Sequence, residues 1–144
     1  METLIELMKK SLADTFTMYL KSHNYHWNVE GINFSEFHNF FGGLYEELHG
    51  AVDPLAEQLR MLGSYVPGSM KRFLEITELQ ESVNIPQPIE MCRDLLSDNE
   101  KVINTLSLSL KFAEKLNKQG LINFLAGRLE VHEKHNWMLK SIIK

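Results

Sequence analysis

Histidine and carboxylate side chains gather in the first half of this chain in a pattern that suits metal binding. Four of the six histidines lie within 27 residues, between His23 and His49. Two carboxylates, Asp53 and Glu57, follow at an i,i+4 spacing, which places them on one face of a helix. Imidazole and carboxylate together suit Fe(II), Zn(II) or Mn(II), and carboxylate favours the harder of these ions. The residue types therefore indicate a transition-metal site.

These residues form a polar stripe if the segment around them is helical. At 100° per residue, an arc of about 100° holds His38, Glu46, His49, Asp53 and Glu57. The stripe borders an apolar face, so we expect it to be partly buried. Imidazole and carboxylate groups are costly to bury unless they are hydrogen-bonded or bound to metal. Spacing alone leaves two interpretations open, which are a network of interhelical hydrogen bonds and a metal site.

Other kinds of chemistry find little support in the sequence. There is no Gly-x-Ser-x-Gly elbow, and Cys92 lies on a plain helical pattern that predicts a small core residue. Gly42-Gly43 lacks the Gly-Lys-Ser/Thr that completes a phosphate-binding loop. A di-metal carboxylate site inside one four-helix bundle needs Glu-x-x-His from two helices, and only Glu46-x-x-His49 fits. We therefore do not expect a metal site within a single bundle.

The elements that must position these groups are four long helices. Apolar residues recur with helical periodicity, and sparse glycine and proline residues divide the chain. We predict helices at about Thr3–Asn28, Asn33–Met61, 88–117 and Leu121–Ile143, broken by Gly31, Gly63 and Gly120. A turn-rich link with a short helix at Lys71–Ile76 joins the second helix to the third. The prediction is an all-α four-helix bundle with a crossover helix, forming a single domain over residues 1–144.

Composition narrows the classes of protein further. Apolar residues make up 44% and charged residues 24%, as in an ordinary globular domain. The net charge of −4 disfavours nucleic-acid binding, and a single cysteine excludes an internal disulfide framework. No stretch is apolar enough for a transmembrane helix, and the start of the chain is unlike a secretory signal. We expect a cytoplasmic protein with no membrane partner.

Several motifs resemble the Dps family of mini-ferritins, and the resemblance extends over nearly the whole chain. The most specific part spans the first two predicted helices, and the last helix is similar too. The matching strings are His23-Asn24-Tyr25-His26-Trp27-Asn28-Val29-x-Gly31, Asn33-Phe34-x-x-x-His38-x-x-Phe41, Asp53-x-x-Ala56-Glu57-x-x-Arg60-x-Leu62-Gly63 and His132-Glu133-Lys134-His135-x-Trp137.

The resemblance implies that the bundle is ferritin-like and that twelve subunits form a hollow shell, with metal sites at its two-fold interfaces. By position, His26 and His38 come from one subunit, and Asp53 and Glu57 come from its partner. The geometry of a helix agrees, because fifteen residues separate His38 from Asp53 by about 22 Å along one helix. An isologous contact between two copies of that helix would build two such sites at once. Glu46 and His49 are possible auxiliary ligands.

The implied activity is oxidation of Fe(II) by hydrogen peroxide, with dioxygen as a slower oxidant. Ferric product is stored as a mineral in the cavity, which protects the cell from oxidative damage, and no organic cofactor is implied. The alternative is a similar shell with weak ferroxidase activity that sequesters metal or protects DNA structurally. We expect His23 to be packed or hydrogen-bonded rather than a ligand. We expect Trp27 to be a core residue or to lie beside the metal.

Two features of the second helix depart from the family pattern. Members usually carry an acid four residues after the second histidine, where this chain has Gly42. We therefore expect one tight metal per site and a second position that is weak or empty, and we expect Gly42→Asp to speed oxidation. Pro54 also predicts a kink beside Asp53, because proline lacks an N–H and clashes with the preceding turn.

The chain also lacks two charged features of the family. The turn between the last two helices, where members gather acids around an iron pore, has Lys118, Gln119, Leu121 and Asn123. Neither end of the chain carries the Lys-rich tail that DNA-binding members often use. DNA binding is therefore not expected.

Overall fold

The computed structural model describes all 144 residues and consists of helices joined by loops. Four long helices and one short helix follow in the order α1 (Glu2–Asn28), α2 (Phe34–Met61), α3 (Met70–Ile76), α4 (Pro88–Lys115) and α5 (Gln119–Ile143). The prediction of an all-α four-helix bundle with a helix in the crossover is confirmed. The predicted boundaries lie within about two residues of those observed, which is the usual uncertainty of a helix end.

Two helical hairpins pack together to form the bundle. The α1 helix packs on α2, α4 packs on α5, and α1 joins the two hairpins by contacting α4. Pro88 occupies the first turn of α4, where its missing N–H costs nothing. Gly63 follows α2 with a φ of +87°, a left-handed conformation that glycine adopts without strain. The α2 helix continues without interruption through Pro54.

The turn between α4 and α5 differs from the prediction. Asn117 takes the left-handed conformation there, with a φ of +53°, whereas Gly120 lies inside the first turn of α5. Asparagine tolerates this conformation better than most residues, because its short polar side chain can hydrogen-bond locally. The chain therefore turns three residues before the glycine that was expected to break the helix.

The core is apolar along most of its length and contains several charged groups near its middle. Leucine and methionine dominate it, and Cys92 is fully buried there as predicted. Lys21 on α1 is also buried, and its Nζ lies 2.6 Å from Asp98 and 2.9 Å from Asp94, both on α4. Buried charges persist when they are paired, so these ion pairs fix α1 against α4.

The crossover is fastened to α1 by a buried carboxylate. Thr77 Oγ1 donates a hydrogen bond to Asp14 Oδ1 at 2.6 Å, and the Glu78 N–H donates to the same oxygen at 3.0 Å. Burial raises the pKa of Asp14, while the hydrogen bond from Thr77 and the nearby Lys10 charge oppose that shift. These contacts hold the residues after α3 on the side of α1.

No helix in the chain combines the length and apolar character needed to cross a bilayer.

Candidate metal site

His26 and His38 form a stacked pair where the end of α1 meets the start of α2. Their ring centroids lie 3.7 Å apart, and both side chains are half-buried. His26 Nδ1 lies 2.7 Å from the carbonyl oxygen of His38, and His38 Nδ1 lies 2.7 Å from the carbonyl oxygen of His26. A carbonyl oxygen only accepts, so each Nδ1 donates its proton. In the neutral imidazole, Nε2 then keeps its lone pair, which is the form in which histidine binds a metal.

Aromatic side chains of α1 and α2 pack next to the His26–His38 pair. His23 stacks on Tyr45 with ring centroids 3.8 Å apart, and its Nδ1 lies 3.0 Å from the Tyr19 hydroxyl. The prediction that His23 is packed and hydrogen-bonded is therefore confirmed. Desolvation lowers the pKa of His23, and the nearby His26 and His49 imidazoles lower it further. These surroundings disfavour the charged form of His23.

Trp27 is not a core residue of the chain. It is 59% exposed, and its ring lies 3.9 Å from that of His23, centroid to centroid. The reason is its position in the last turn of α1, where its side of the helix meets no other long helix of this chain. Of the two alternatives expected for Trp27, the core position is wrong, and its ring lies beside His23 instead.

Asp53 and Glu57 lie together further along α2. Both carboxylates are exposed, and neither forms an ion pair with a basic side chain of the chain. The pKa of Glu57 is raised, first by a hydrogen bond with Asp53 and then by the charge of that carboxylate. A bound cation would relieve this repulsion between like charges.

The predicted partial burial of the polar stripe holds for His38 alone. Glu46, His49, Asp53 and Glu57 are exposed, because no helix of the same chain covers that side of α2. The structure brings His26 to His38 and Asp53 to Glu57, but it does not bring the two pairs together. No group of three or more histidine, cysteine or acidic side chains within one chain is arranged to hold a metal ion.

Gly42 lies directly against the histidine pair. A Cβ built at this buried position would lie 3.2 Å from both Cε1 and Nδ1 of His26. That is closer than ordinary van der Waals contact, so the ring would have to move. An acid at position 42, where the family pattern places one, would therefore require the His26 imidazole to shift by a few tenths of an ångström.

A buried polar cluster in the middle of the bundle escaped the sequence reasoning. It consists of Glu47 on α2, Asn99 on α4, and Arg128, His132 and His135 on α5. The neighbouring Glu46 drew attention because it falls on the polar stripe. Glu47 instead falls on the apolar face, three residues after the buried Leu44 and one before the buried Leu48. A lone acid on an apolar arc, opposite the histidines of the last helix, was the available signal.

Comparison with known proteins places the chain in a family. Residues 5–144 match the sequence model of the ferritin-like domain. A general stress protein, 20U of Bacillus subtilis, is 32% identical over 99% of this chain and 98% of its own length. DNA protection during starvation protein 2 of Bacillus anthracis is 30% identical over 97% of this chain and 96% of its own length.

Solved structures agree with this placement. The crystal structure of a Dps protein from Bacillus brevis superposes with a TM-score of 0.94 at 27% identity, covering 99% of this chain and 96% of that one. Dps from Staphylococcus aureus gives 0.95 at 27% identity, covering 100% of this chain and 97% of that one. The helix order and crossover thus define a ferritin-like protein. Within that class the chain belongs to the Dps mini-ferritins.

Proposed function

We propose that this chain oxidises Fe(II) at sites built between two subunits and stores the ferric product in a hollow dodecamer. His26 and His38 of one subunit bind the iron together with Asp53 and Glu57 of the partner subunit. Hydrogen peroxide is the proposed oxidant, and dioxygen is a slower one. The stress and DNA-protection names of the relatives suit a protective role.

The observation that carries this proposal is the reciprocal hydrogen bonding of His26 and His38. Each Nδ1 donates to the other residue's carbonyl oxygen at 2.7 Å, which fixes both tautomers with Nε2 unprotonated. A metal-binding histidine usually donates its second ring N–H in this way, because the bond orients the ring and makes the other nitrogen more basic. A pair of ordinary packed histidines would not need this arrangement.

The second subunit is required because each chain carries two incomplete half-sites. His38 and Asp53 lie about 22 Å apart along one helix, far beyond the reach of a shared ion. If two α2 helices pack antiparallel, the histidine half of each faces the carboxylate half of the other. A two-fold contact then completes two sites together.

An exposed apolar surface beside the histidine pair supports such packing. Trp27, Met70 and Leu74 are 59%, 68% and 53% exposed, and they border a cavity of about 280 Å³ between α1 and α3. A surface of large apolar side chains indicates a region that another protein covers. Trp27 joins this surface to His23, so a partner docked on the surface would lie close to the proposed site.

The proposed chemistry balances with iron as the substrate. Hydrogen peroxide takes two electrons and two protons to give two molecules of water, and two Fe(II) ions supply the electrons as they become Fe(III). Neutral imidazoles carry no negative charge, so the carboxylates of the partner subunit would offset the positive charge of the iron. Because both electrons go to one peroxide, the reaction avoids release of hydroxyl radical.

The alternative, a shell that sequesters metal and oxidises it slowly, rests on Gly42. The family acid at this position would help to hold a second iron, and two divalent ions in proximity repel strongly without enough carboxylate. One tight iron and one weak iron per site would slow a reaction that needs two electrons.

Subunit mixing tests the proposed site. His38→Ala and Glu57→Ala should each abolish most iron oxidation, since every site loses one ligand. After random exchange, half of the two-fold pairs combine both variants, and each such pair regains one intact site. We therefore expect about a quarter of the unmodified activity. Glu114→Ala, which removes an exposed acid at the end of α4, should leave oxidation unchanged.

The measurement is peroxide-driven oxidation of Fe(II), followed by ferric absorbance, with subunit exchange verified by mass spectrometry. Full activity in either single variant would contradict the assigned ligands. Failure to recover activity after verified exchange would contradict the division of the ligands between two subunits.

A further inference from the structure

The buried cluster in the bundle has a guanidinium at its centre. Both terminal nitrogens of Arg128 contact the Glu47 carboxylate, with Nη2 3.2 Å from Oε1. The same Nη2 lies 2.8 Å from His132 Nε2. His135 Nε2 lies 2.7 Å from Glu47 Oε1. This cationic nitrogen thus contacts a carboxylate of α2 and an imidazole of α5, and a second imidazole of α5 contacts the same carboxylate oxygen.

His132 has the tautomer and support of a metal ligand. Arg128 can only donate, so His132 Nε2 accepts and carries no proton. Its Nδ1 therefore donates to Asn99 Oδ1 at 2.7 Å. Asn99 is in turn held by a hydrogen bond from its Nδ2 to the carbonyl oxygen of His132 at 2.8 Å. A second hydrogen bond of this kind is what orients the histidines of metal sites.

Two buried atoms of the cluster have no hydrogen-bond partner. They are His135 Nδ1 and Arg128 Nε, in side chains that are almost completely buried. Buried polar atoms normally form hydrogen bonds, so each of these missing hydrogen bonds destabilises the fold. A structural ion pair selected for stability alone would more simply be replaced by apolar residues. The incomplete hydrogen bonding suggests that the cluster is organised around its central cation.

We propose that Arg128 occupies a metal position inside the bundle, where Glu47, His132 and His135 would otherwise form a three-ligand site, and thereby prevents each chain from binding metal by itself. The ligand class is one carboxylate and two imidazoles, which suits Zn(II), Co(II) or Fe(II). His132 needs no change of tautomer to bind. His135 must move its proton from Nε2 to Nδ1, which has no partner at present.

The distances around the guanidinium allow this exchange. Metal–nitrogen and metal–oxygen bonds measure about 2.0 to 2.2 Å. An ion at the place of Nη2 would thus require His132 Nε2 and Glu47 Oε1 to approach by roughly 1 Å each, from 2.8 and 3.2 Å. The guanidinium itself repels any incoming cation. Combined with the proposed function, the consequence is that iron binds between subunits and not within them.

Cobalt binding tests the inference in a protein that lacks the two carboxylates of the proposed interface site. The background variant is Asp53→Asn with Glu57→Gln, so the result does not depend on whether the interface oxidises iron. Adding Arg128→Ala should create one Co(II) site per chain, with the visible absorption of a low-coordinate Co(II) ion. We expect binding at least about 100-fold tighter than in the background, because a neighbouring positive charge is removed.

Two controls isolate the charge and the ligands. Arg128→Lys keeps a cation in the cluster and should bind no Co(II) there. Adding His132→Gln to the Arg128→Ala protein should abolish the absorption, which assigns the signal to this cluster. Equal binding by the lysine and alanine variants would overturn the inference, as would a His132-dependent Co(II) site in the background protein.

Folding of the variant is part of the test. Arg128→Gln removes the charge but keeps an amide donor for Glu47, and it should bind Co(II) as the alanine variant does. If both variants unfold without metal, refolding with Zn(II) followed by circular dichroism replaces the titration, since metal binding then supplies folding free energy. Recovery of helix with Zn(II) supports the inference. Folded variants that bind no Co(II), or unfolded ones that Zn(II) does not rescue, overturn it.

Discussion

The imidazole of His26 fills the space in which a side chain at position 42 would lie. A Cβ on Gly42 would approach two atoms of that ring to 3.2 Å, and the ring cannot turn freely because its Nδ1 is bonded to the His38 carbonyl oxygen. The absence of an acid at this position and the placement of the histidine are therefore one structural fact. The expectation that Gly42→Asp speeds oxidation is replaced by its opposite.

Gly42→Ala should weaken Fe(II) binding about tenfold or more, since a shift of a ligand by a few tenths of an ångström disturbs the geometry of a metal site. Gly42→Asp should do the same, with slower peroxide-driven oxidation. Anaerobic calorimetric titration of Fe(II) measures the affinity and the number of tight irons.

Gly43→Ala is the matched control for this prediction. A Cβ there meets nothing within 4 Å, so the substitution should leave Fe(II) binding intact and stabilise the helix by up to about 1 kcal/mol. Tighter binding of a second iron in the Gly42→Asp protein would show that the His26 ring yields to the new side chain.

Glu47 should make the free energy of unfolding depend on pH in the acidic range. Burial opposes ionisation of Glu47, but the hydrogen bonds from His135 and Arg128 and the Arg128 charge outweigh it, so the pKa of Glu47 falls from 4.5 to about 2. A lowered pKa in the folded state means that the carboxylate stabilises the protein above pH 4.5 and ceases to do so as the pH falls towards 2. The shift corresponds to at most about 3 kcal/mol.

Glu47→Gln should therefore lower the free energy of unfolding by about 3 kcal/mol at neutral pH, because Arg128 loses its counter-charge. That difference should narrow between pH 4.5 and pH 2. Urea unfolding at one fixed protein concentration measures it. Glu46→Gln, at the exposed neighbouring position, should change stability by less than about 0.5 kcal/mol at any pH. A difference for Glu47→Gln that stayed constant with pH would refute the ionised Glu47–Arg128 pair.

Cys92 should be inert in the folded protein. Burial raises the pKa of its thiol to about 12, and the thiolate is the reactive form. We expect no reaction with a disulfide reagent at pH 8 and one reacting thiol per chain after unfolding in urea. Ser97→Cys, on the exposed side of the same helix, should give one thiol that reacts at once. Rapid reaction of Cys92 in the native protein would indicate that the α4 region opens readily.

Duplex DNA should not be retained by this protein in a gel shift at physiological salt. Each chain carries a net charge of −4, so twelve chains would carry about −48 and repel phosphate. A Lys-rich tail added before Met1 should produce retention that weakens as salt is raised. A clear shift by the unmodified protein without divalent cations would show that a local basic surface overcomes the overall charge.

The sequence by itself determined the helices and the kinds of residue at the site. Apolar periodicity, Gly63 and Pro88 are local features, and they predicted the helix boundaries to within about two residues. The same local pattern placed His26 and His38 near the α1–α2 turn, since antiparallel neighbours joined by a short loop bring their adjoining ends together. It also separated His38 from Asp53, because a helix has a fixed rise per residue.

Only the tertiary structure decided which way each side chain faces and what it meets. Glu47 contacts Arg128 and His135 across 81 and 88 residues of chain, while Glu46 beside it faces outward. The sequence likewise did not predict the close approach of His26 to Gly42 or the exposure of Trp27. Such relationships depend on how far each helix is rotated and how closely it approaches its neighbours. Those quantities are set by the packing of the whole core, and no pattern within a single helix contains them.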